Sequence, residues 1–229
     1  MSRDTTVPHK VSIVAPPSPS PGPGPSPSPS GSELSKLAAS MAAGTWAKLN
    51  AANQDPVLGV GGISGSMIHY SNKGAWNNVT KRVEYIGEDH NWTHVRYAQY
   101  DEATNAFVLA SADLGWGANT QHGYDHIAVN PSNGDVYYRN IQDYTGGDLI
   151  KCSRKAAAPD APFASLPTVS CEYAQIAIAC CWWSGAFQGA GAQGCFVIFN
   201  GGDSFNRADD GQIVAFDPLS NVWFMFQLI

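Results

Sequence analysis

Phe216-Asp217-Pro218-Leu219-Ser220-Asn221-Val222-Trp223 superimposes residue for residue on Tyr100-Asp101-Glu102-Ala103-Thr104-Asn105-Ala106-Phe107. Each copy reads as the end of a strand, an Asp/Asn/Ser-type turn, and a second strand opened by a large aromatic. The closing part recurs twice more, in Thr45-Trp46-Ala47-Lys48-Leu49 and Pro162-Phe163-Ala164-Ser165-Leu166. The leading aromatics stand at Trp46, Phe107, Phe163 and Trp223, so the steps are 61, 56 and 60 residues. A regular step of that size marks a repeat architecture, in which each unit buries its apolar face against its neighbours.

A second marker keeps the same phase. Tyr85-Ile86-Gly87-Glu88-Asp89 matches Phe199-Asn200-Gly201-Gly202-Asp203, and Tyr138-Arg139-Asn140-Ile141-Gln142-Asp143 stands there in the middle unit without the glycines. From that Asp to the closing aromatic the separations are 18, 20 and 20 residues. Strand candidates fall at 82–86, 95–100, 126–129, 135–138, 148–151, 175–178, 195–199 and 212–216, and turn clusters such as Asn130-Pro131-Ser132-Asn133-Gly134 separate them. They group into units of about 67–111, 123–167 and 173–229, so the expected fold class is all-β.

Four-stranded antiparallel units with glycines after the second strand and an aromatic in the last describe β-propeller blades. These residues resemble the kelch pattern, in particular the propeller of the galactose-oxidase central domain. The resemblance covers about residues 44–229. It implies a propeller fold, and it does not carry an activity with it. Galactose oxidase uses copper with two Tyr, two His and a Tyr–Cys crosslink; His122, Tyr124 and His126 supply residue types, but no segment matches that site in order or context. Three blades do not close a ring. The expectation is that the Trp46 strand completes the last blade of a longer chain, or that two copies build a six-bladed homo-oligomer.

Upstream, residues 33–43 place Leu34, Leu37, Ala38 and Met41 on one helical face, with Ser32 as N-cap and Gly44 as stop. Residues 16–31 read PPSPSPGPGPSPSPSG, a polyproline II spacer loosened by Gly22 and Gly24. Residues 1–15 read as the remnant of a preceding segment. The organisation expected is thus 1–15 tail, 16–31 linker and 32–229 partial propeller.

Charge and composition exclude some classes. The 229 residues are 44% hydrophobic with a net charge of −6, and they contain no basic block, so nucleic acid is not an expected partner. No run of about 18 apolar residues suggests a membrane span. Residues 1–10 lack the apolar stretch of a secretory signal, yet Asn78-Val79-Thr80 and Asn91-Trp92-Thr93 are glycosylation sequons. They make an extracellular or cell-surface location the expectation. Cys152, Cys171, Cys180, Cys181 and Cys195 lack metal-ligand spacing, and buried thiols or one or two disulfides are both open. Neighbouring Cys180 and Cys181 must point to opposite faces of a strand.

The densest polar constellation is Gln121-His122-Gly123-Tyr124-Asp125-His126. It precedes the first strand of the middle unit, where a propeller has the mouth of its channel. There His122, Asp125 and His126 would meet Glu88, Asp89 and His90 of the unit before. That set suits a divalent metal, Cu or Ca, or sugar hydroxyls with Trp116 or Tyr124 as a stacking platform. Hydrogen bonding between loops is the alternative use. Trp92, Trp182 and Trp183 are further stacking candidates. Residues 59–65 lack the Lys-Ser/Thr ending of a phosphate loop, residues 203–211 lack EF-hand spacing, and no Gly-x-Ser-x-Gly or HExxH is present. The function expected is recognition or scaffolding with a glycan or protein partner. A carbohydrate-active or copper-oxidase-like enzyme and a surface-appendage or virion component are the rivals.

Overall fold

A computed structural model describes residues 31–59, 66–69, 74–87, 95–116, 123–140, 149–170, 179–185, 193–200 and 212–227. Among them are two helices, α1 (Glu33–Ser40) and α2 (Gln54–Leu58), and thirteen strands. The first sheet runs in the order β1 (Ala75–Asn77), β2 (Arg82–Gly87), β3 (Arg96–Asp101), β4 (Ala106–Ser111). The second runs β5 (Ile127–Val129), β6 (Val136–Asn140), β7 (Leu149–Lys155), β8 (Phe163–Ser165), and β9 (Val169–Ser170) pairs with the start of β7. The third runs β10 (Ala179–Trp183), β11 (Cys195–Asn200), β12 (Gln212–Asp217), β13 (Val222–Gln227). Each is a four-stranded antiparallel meander, and three of the four aromatic-led segments open or begin the last strand. This layout is compatible with a propeller-like fold.

One local rule builds four of the hairpins. Asn77, Asp101, Asn130 and Asp217 each end a strand or follow it directly. Their side-chain oxygens accept the amide N–H of Val79, Thr104, Ser132 and Leu219, at 3.1, 3.1, 3.0 and 2.9 Å. Four residues after each comes a left-handed residue: Lys81 (φ 56°), Asn105 (50°), Gly134 (78°) and Asn221 (58°). Asn and Gly enter that region at low cost, whereas a β-branched residue would not. The Asp217/Asn221 and Asp101/Asn105 turns thus share their two end residues, although Asp217 accepts the N–H two residues on and Asp101 the N–H three residues on.

The sheets stack face on face. Ala75, Ile86 and Tyr97 of the first meet Ile127, Val136 and Tyr138 of the second in one buried cluster. The other face of the second sheet, with Ala128, Tyr137, Ile150 and Cys152, meets Cys180, Phe196, Ile198, Val214 and Phe216 of the third. Burying one aromatic of this size removes enough apolar surface to stabilise by about 2–3 kcal/mol, so these two seams hold the stack. The outward face of the first sheet is covered by the chain's own N-terminal segment: Val57, Leu58 and Met67, with Leu34 and Leu49, pack on Ala98, Tyr100 and Phe107.

Three expectations need adjusting. Trp46 is 98% exposed and lies in no strand; its segment reaches the sheets only at Ala52, which pairs in parallel with Ala106. The helix stops at Ser40 rather than Ala43. Met41 turns extended there, and the Ser40 hydroxyl donates to the Leu37 carbonyl, which competes with the helical ladder. Ser32 does cap the helix, accepting the Ser35 N–H at 3.0 Å. The first strand described in the third unit is β10, which carries Trp182 and Trp183; the expected strand at 175–178 lies outside the described residues. The first sheet opens at Ala75, with Met67–His69 forming a short helical turn ahead of it.

Candidate functional site

The first strands of the three sheets, β1, β5 and β10, lie side by side at the inner edge of the stack. Asp125 and Ala179 form a parallel bridge, in which the Cys180 N–H donates to the Asp125 carbonyl at 2.8 Å. Away from that bridge the strands part and leave a groove of about 290 Å³. Its walls are Ala75 and Trp76, its floor is Ile127 to Val129, and Pro131, Cys181, Trp182 and Ser184 complete it. Trp76 is 40% exposed, although β1 is only three residues long and Ala75 and Asn77 beside it are buried. The alternation of a strand turns Trp76 to the face opposite its neighbours. Trp182 is half-buried and leans on Tyr137, with ring centroids 5.4 Å apart. None of the nine lining side chains carries a charge. As edge strands, β1, β5 and β10 each turn a row of backbone N–H and C=O groups away from their own sheets.

The constellation expected at the channel mouth is partly in view. His122, Glu88, Asp89, His90, Asn91 and Trp92 lie outside the described residues. Tyr124 is half-buried at φ 28°, a left-handed backbone, and Asp125 is half-buried in the bridge to β10. His126 is fully buried, 5.8 Å from the Tyr124 ring and 6.1 Å from that of Tyr138. Its Nε2 stands 3.5 Å from Nη1 of Arg139, itself buried. Among the described residues no group of three or more His, Cys, Asp or Glu side chains is placed to hold a metal. Trp116 stacks on Tyr138 at 5.2 Å and meets Phe163 edge-on at 5.3 Å, so its ring face is spent between the sheets. Asn78 sits half-buried in the β1–β2 turn, its side-chain oxygen taking a hydrogen bond from Lys81 Nζ at 2.9 Å.

A buried polar group between the first and second sheets went unnoticed in the sequence. The Glu84 carboxylate accepts from the Tyr97 hydroxyl at 2.6 Å, from Gln99 Nε2 at 2.7 Å and from Asn77 Nδ2 at 3.2 Å. Burial, then the Glu84 charge, pushes the Tyr97 phenol far above its ordinary range, so it stays a donor. Lys155 lies opposite, its ammonium donating to the Ala156 and Ala158 carbonyls; burial holds its pKa below the ordinary lysine value. The signal was available: Glu84 holds an inward position in the period-2 alternation of β2. Its donors satisfy it, which marks a structural use.

Among the described residues Cys152, Cys180 and Cys195 are buried and Cys181 half-buried, and no disulfide joins these four. Cys180 joins the seam with the second sheet and Cys181 the opposite face, as alternation requires. Burial pushes Cys152 well up, and Cys195 up to about 11, with Cys181 the next contributor, so neither is poised as a nucleophile at neutral pH. Cys171 lies outside the described residues. A larger cavity, about 550 Å³, lies between residues 48–56 and the β3–β4 turn. No aromatic side chain lines it, and Asn105 Nδ2 bridges it to the Asn50 carbonyl at 3.0 Å. It is the seam of the N-terminal strap, which leaves the inner-edge groove as the stronger site. No helix of the described residues is long and apolar enough to cross a membrane.

Comparison with protein-family models, with curated proteins and with solved structures finds no match to this chain.

Proposed function

We propose that the three sheets are consecutive blades of a kelch-like β-propeller and that the chain is a recognition module, taking a glycan in the groove along β1, β5 and β10. The observation that carries this reading is that Trp76, 40% exposed on the shortest strand of its sheet, and Trp182 are both among the residues that line the groove. Indole faces suit the C–H faces of a sugar ring, and the Ser184 hydroxyl suits its hydroxyl groups. At about 290 Å³ the groove lies at the lower end of small-molecule sites, which suits one or two rings rather than a long chain. The uncharged lining favours a neutral glycan over an acidic one. The copper-oxidase alternative draws no support from His126, because Arg139 occupies the space beside its imidazole.

A glycan array probed with the full chain and with Trp76→Ala tests the reading. Neutral glycans retained by the parent and lost by the variant are the expected result. Binding that survives in the variant would move the site elsewhere, and no retention of any neutral glycan by the parent would end the glycan reading.

A further inference from the structure

We infer that β13 is a self-association edge, on which a second copy of the chain adds its own β13 antiparallel across a twofold axis, so that two third sheets become one continuous sheet. The pairing takes the edge of the third sheet farthest from β10, so it leaves the groove open and does not depend on what that groove binds.

A strand at the edge of a sheet turns a row of N–H and C=O groups outward, and folds blunt such an edge by covering it, bulging it, shortening it or charging it. The outer strands of the first two sheets are blunted in this way. β4 is covered at its start, where the Ala52 N–H donates to the Asn105 carbonyl at 2.9 Å and the Ala52 carbonyl accepts from the Phe107 N–H at 2.8 Å, and its register with β3 shifts between Tyr97 and Ala98. β8 is only three residues long. β13 shows none of these devices among the described residues. Its six residues, Val222–Gln227, hold an unbroken register with β12 from Asp217↔Val222 to Gln212↔Gln227, and no other described strand pairs with it. Alternation sends Val222 and Met225 to opposite faces of the sheet, and they are 47% and 51% exposed, so the edge is open on both faces.

The sequence of the strand selects the occupant. Residues 218–227 carry no charged side chain, whereas the chain as a whole has a net charge of −6. Like charge opposes the approach of two copies, and a neutral edge is where that repulsion is weakest. A peptide with charged side chains opposite Val222 or Met225 would have to desolvate them, and a second β13 would not. A twofold axis normal to the sheet keeps each face continuous, so it opposes odd residues to odd and even to even. Centred on Phe224, it opposes Val222 to Phe226 and Trp223 to Met225, and every such pair is apolar. A six-residue run of high β-propensity without charge, Pro or Gly is also the composition that pairs edge to edge most readily. The contact runs about 20 Å along one strand. That falls short of the roughly 800 Å² per partner of a standard interface, so the dimer is reversible rather than permanent.

The test is sedimentation velocity on the full chain from about 2 to about 200 µM. Met225→Lys and Val222→Lys place a charge on the edge, as natural edge strands do. Val108→Lys does the same on β4, at a position that is also 47% exposed. In the parent, the mass should rise from one chain toward two and no further. Both β13 variants should remain at one chain with unfolding midpoints near that of the parent, and Val108→Lys should associate as the parent does. A parent that stays at one chain throughout would overturn the proposal, as would β13 variants that associate unchanged. Growth past two chains, or loss of association in Val108→Lys, would replace the twofold contact with an open one and overturn it equally. Hydrogen exchange on the parent needs no substitution: amides within residues 222–227 should exchange several-fold more slowly at the highest concentration than at the lowest, and exchange independent of concentration would also overturn the pairing.

Discussion

The two seams of this stack are built from different chemistry. Between the second and third sheets the contact is aromatic: Tyr137 stacks on Phe196 at 5.4 Å, and Trp223 closes on Phe216 at 5.1 Å while its indole N–H donates to the Pro167 carbonyl at 2.6 Å. Between the first and second sheets an apolar half, with Ile86, Ile127 and Tyr138, shares the seam with the Glu84, Tyr97, Gln99 and Asn77 network and with Lys155. The Glu84 donors Asn77, Tyr97 and Gln99 all belong to the first sheet, so the network ties β1, β2 and β3 to one another, and a bond from Asn77 Nδ2 to the Gly134 carbonyl at 2.8 Å crosses to the second sheet. The comparison teaches that similar sheets need not be joined alike: one seam is aromatic, and the other shares its space with a buried carboxylate that must keep its donors.

The largest effect expected is at the aromatic seam. Phe196→Ala should cost about 3–5 kcal/mol in urea unfolding, with the midpoint lowered and the slope unchanged, because the buried ring leaves a cavity among Tyr137, Cys152 and Trp223. A loss under about 1 kcal/mol would mean that this seam does not hold the stack. At the polar seam, Glu84→Ala should cost about 2–3 kcal/mol by leaving the Tyr97, Gln99 and Asn77 donors unsatisfied, and Glu84→Gln, which keeps an acceptor, less. The two single losses should add to within about 0.5 kcal/mol in the double variant, since the residues belong to different seams; strong coupling would merge the seams into one.

A smaller effect concerns pH. Burial is the main cause holding Lys155 below the ordinary lysine range, so in the window between its folded and unfolded values the unfolded chain binds more protons and stability rises with pH. The parent should therefore gain stability relative to Lys155→Met as pH rises from neutrality toward 10, as followed by thermal unfolding; an identical slope in the two chains would show that Lys155 is not desolvated. The smallest effect is in the turns. Asn221→Ala should cost about 1 kcal/mol, because alanine lacks the short polar side chain that eases Asn into φ 58°, while Asn221→Gly should be close to neutral. Asn105→Gly should cost more than Asn221→Gly, because the Asn105 side chain also bonds the Tyr100 hydroxyl and the Asn50 carbonyl; equal losses at the two sites would show that those bonds contribute nothing.

The repeat itself was legible because its signals are local. Asp217 with Asn221, and Asp101 with Asn105, specify their turns within five residues, and strands such as 82–86 and 212–216 announce themselves by alternation. Trp46 misled because an aromatic-led segment is only half of a closing strand; the other half is a neighbouring strand with a free edge, which no local signal reports. The groove was not legible for a related reason. Trp76 lies on a three-residue strand too short to show a period, and its meaning depends on β5 and β10, about 50 and 105 residues downstream. Trp116 was legible as an aromatic near the second sheet but not as one whose face is taken by Tyr138, since stacking partners are set by packing. Glu84 could have been found from its inward phase; its donors, on β1 and β3, could not.

The claim that the inner-edge groove is the recognition site is tested most directly by calorimetric titration of an array-selected neutral glycan into the full chain and into Trp76→Ala. Trp76 is exposed, so its removal should leave the unfolding midpoint close to that of the parent while weakening the glycan by at least about tenfold, or about 1.4 kcal/mol. Equal dissociation constants for the two chains, with both folded, would contradict the account.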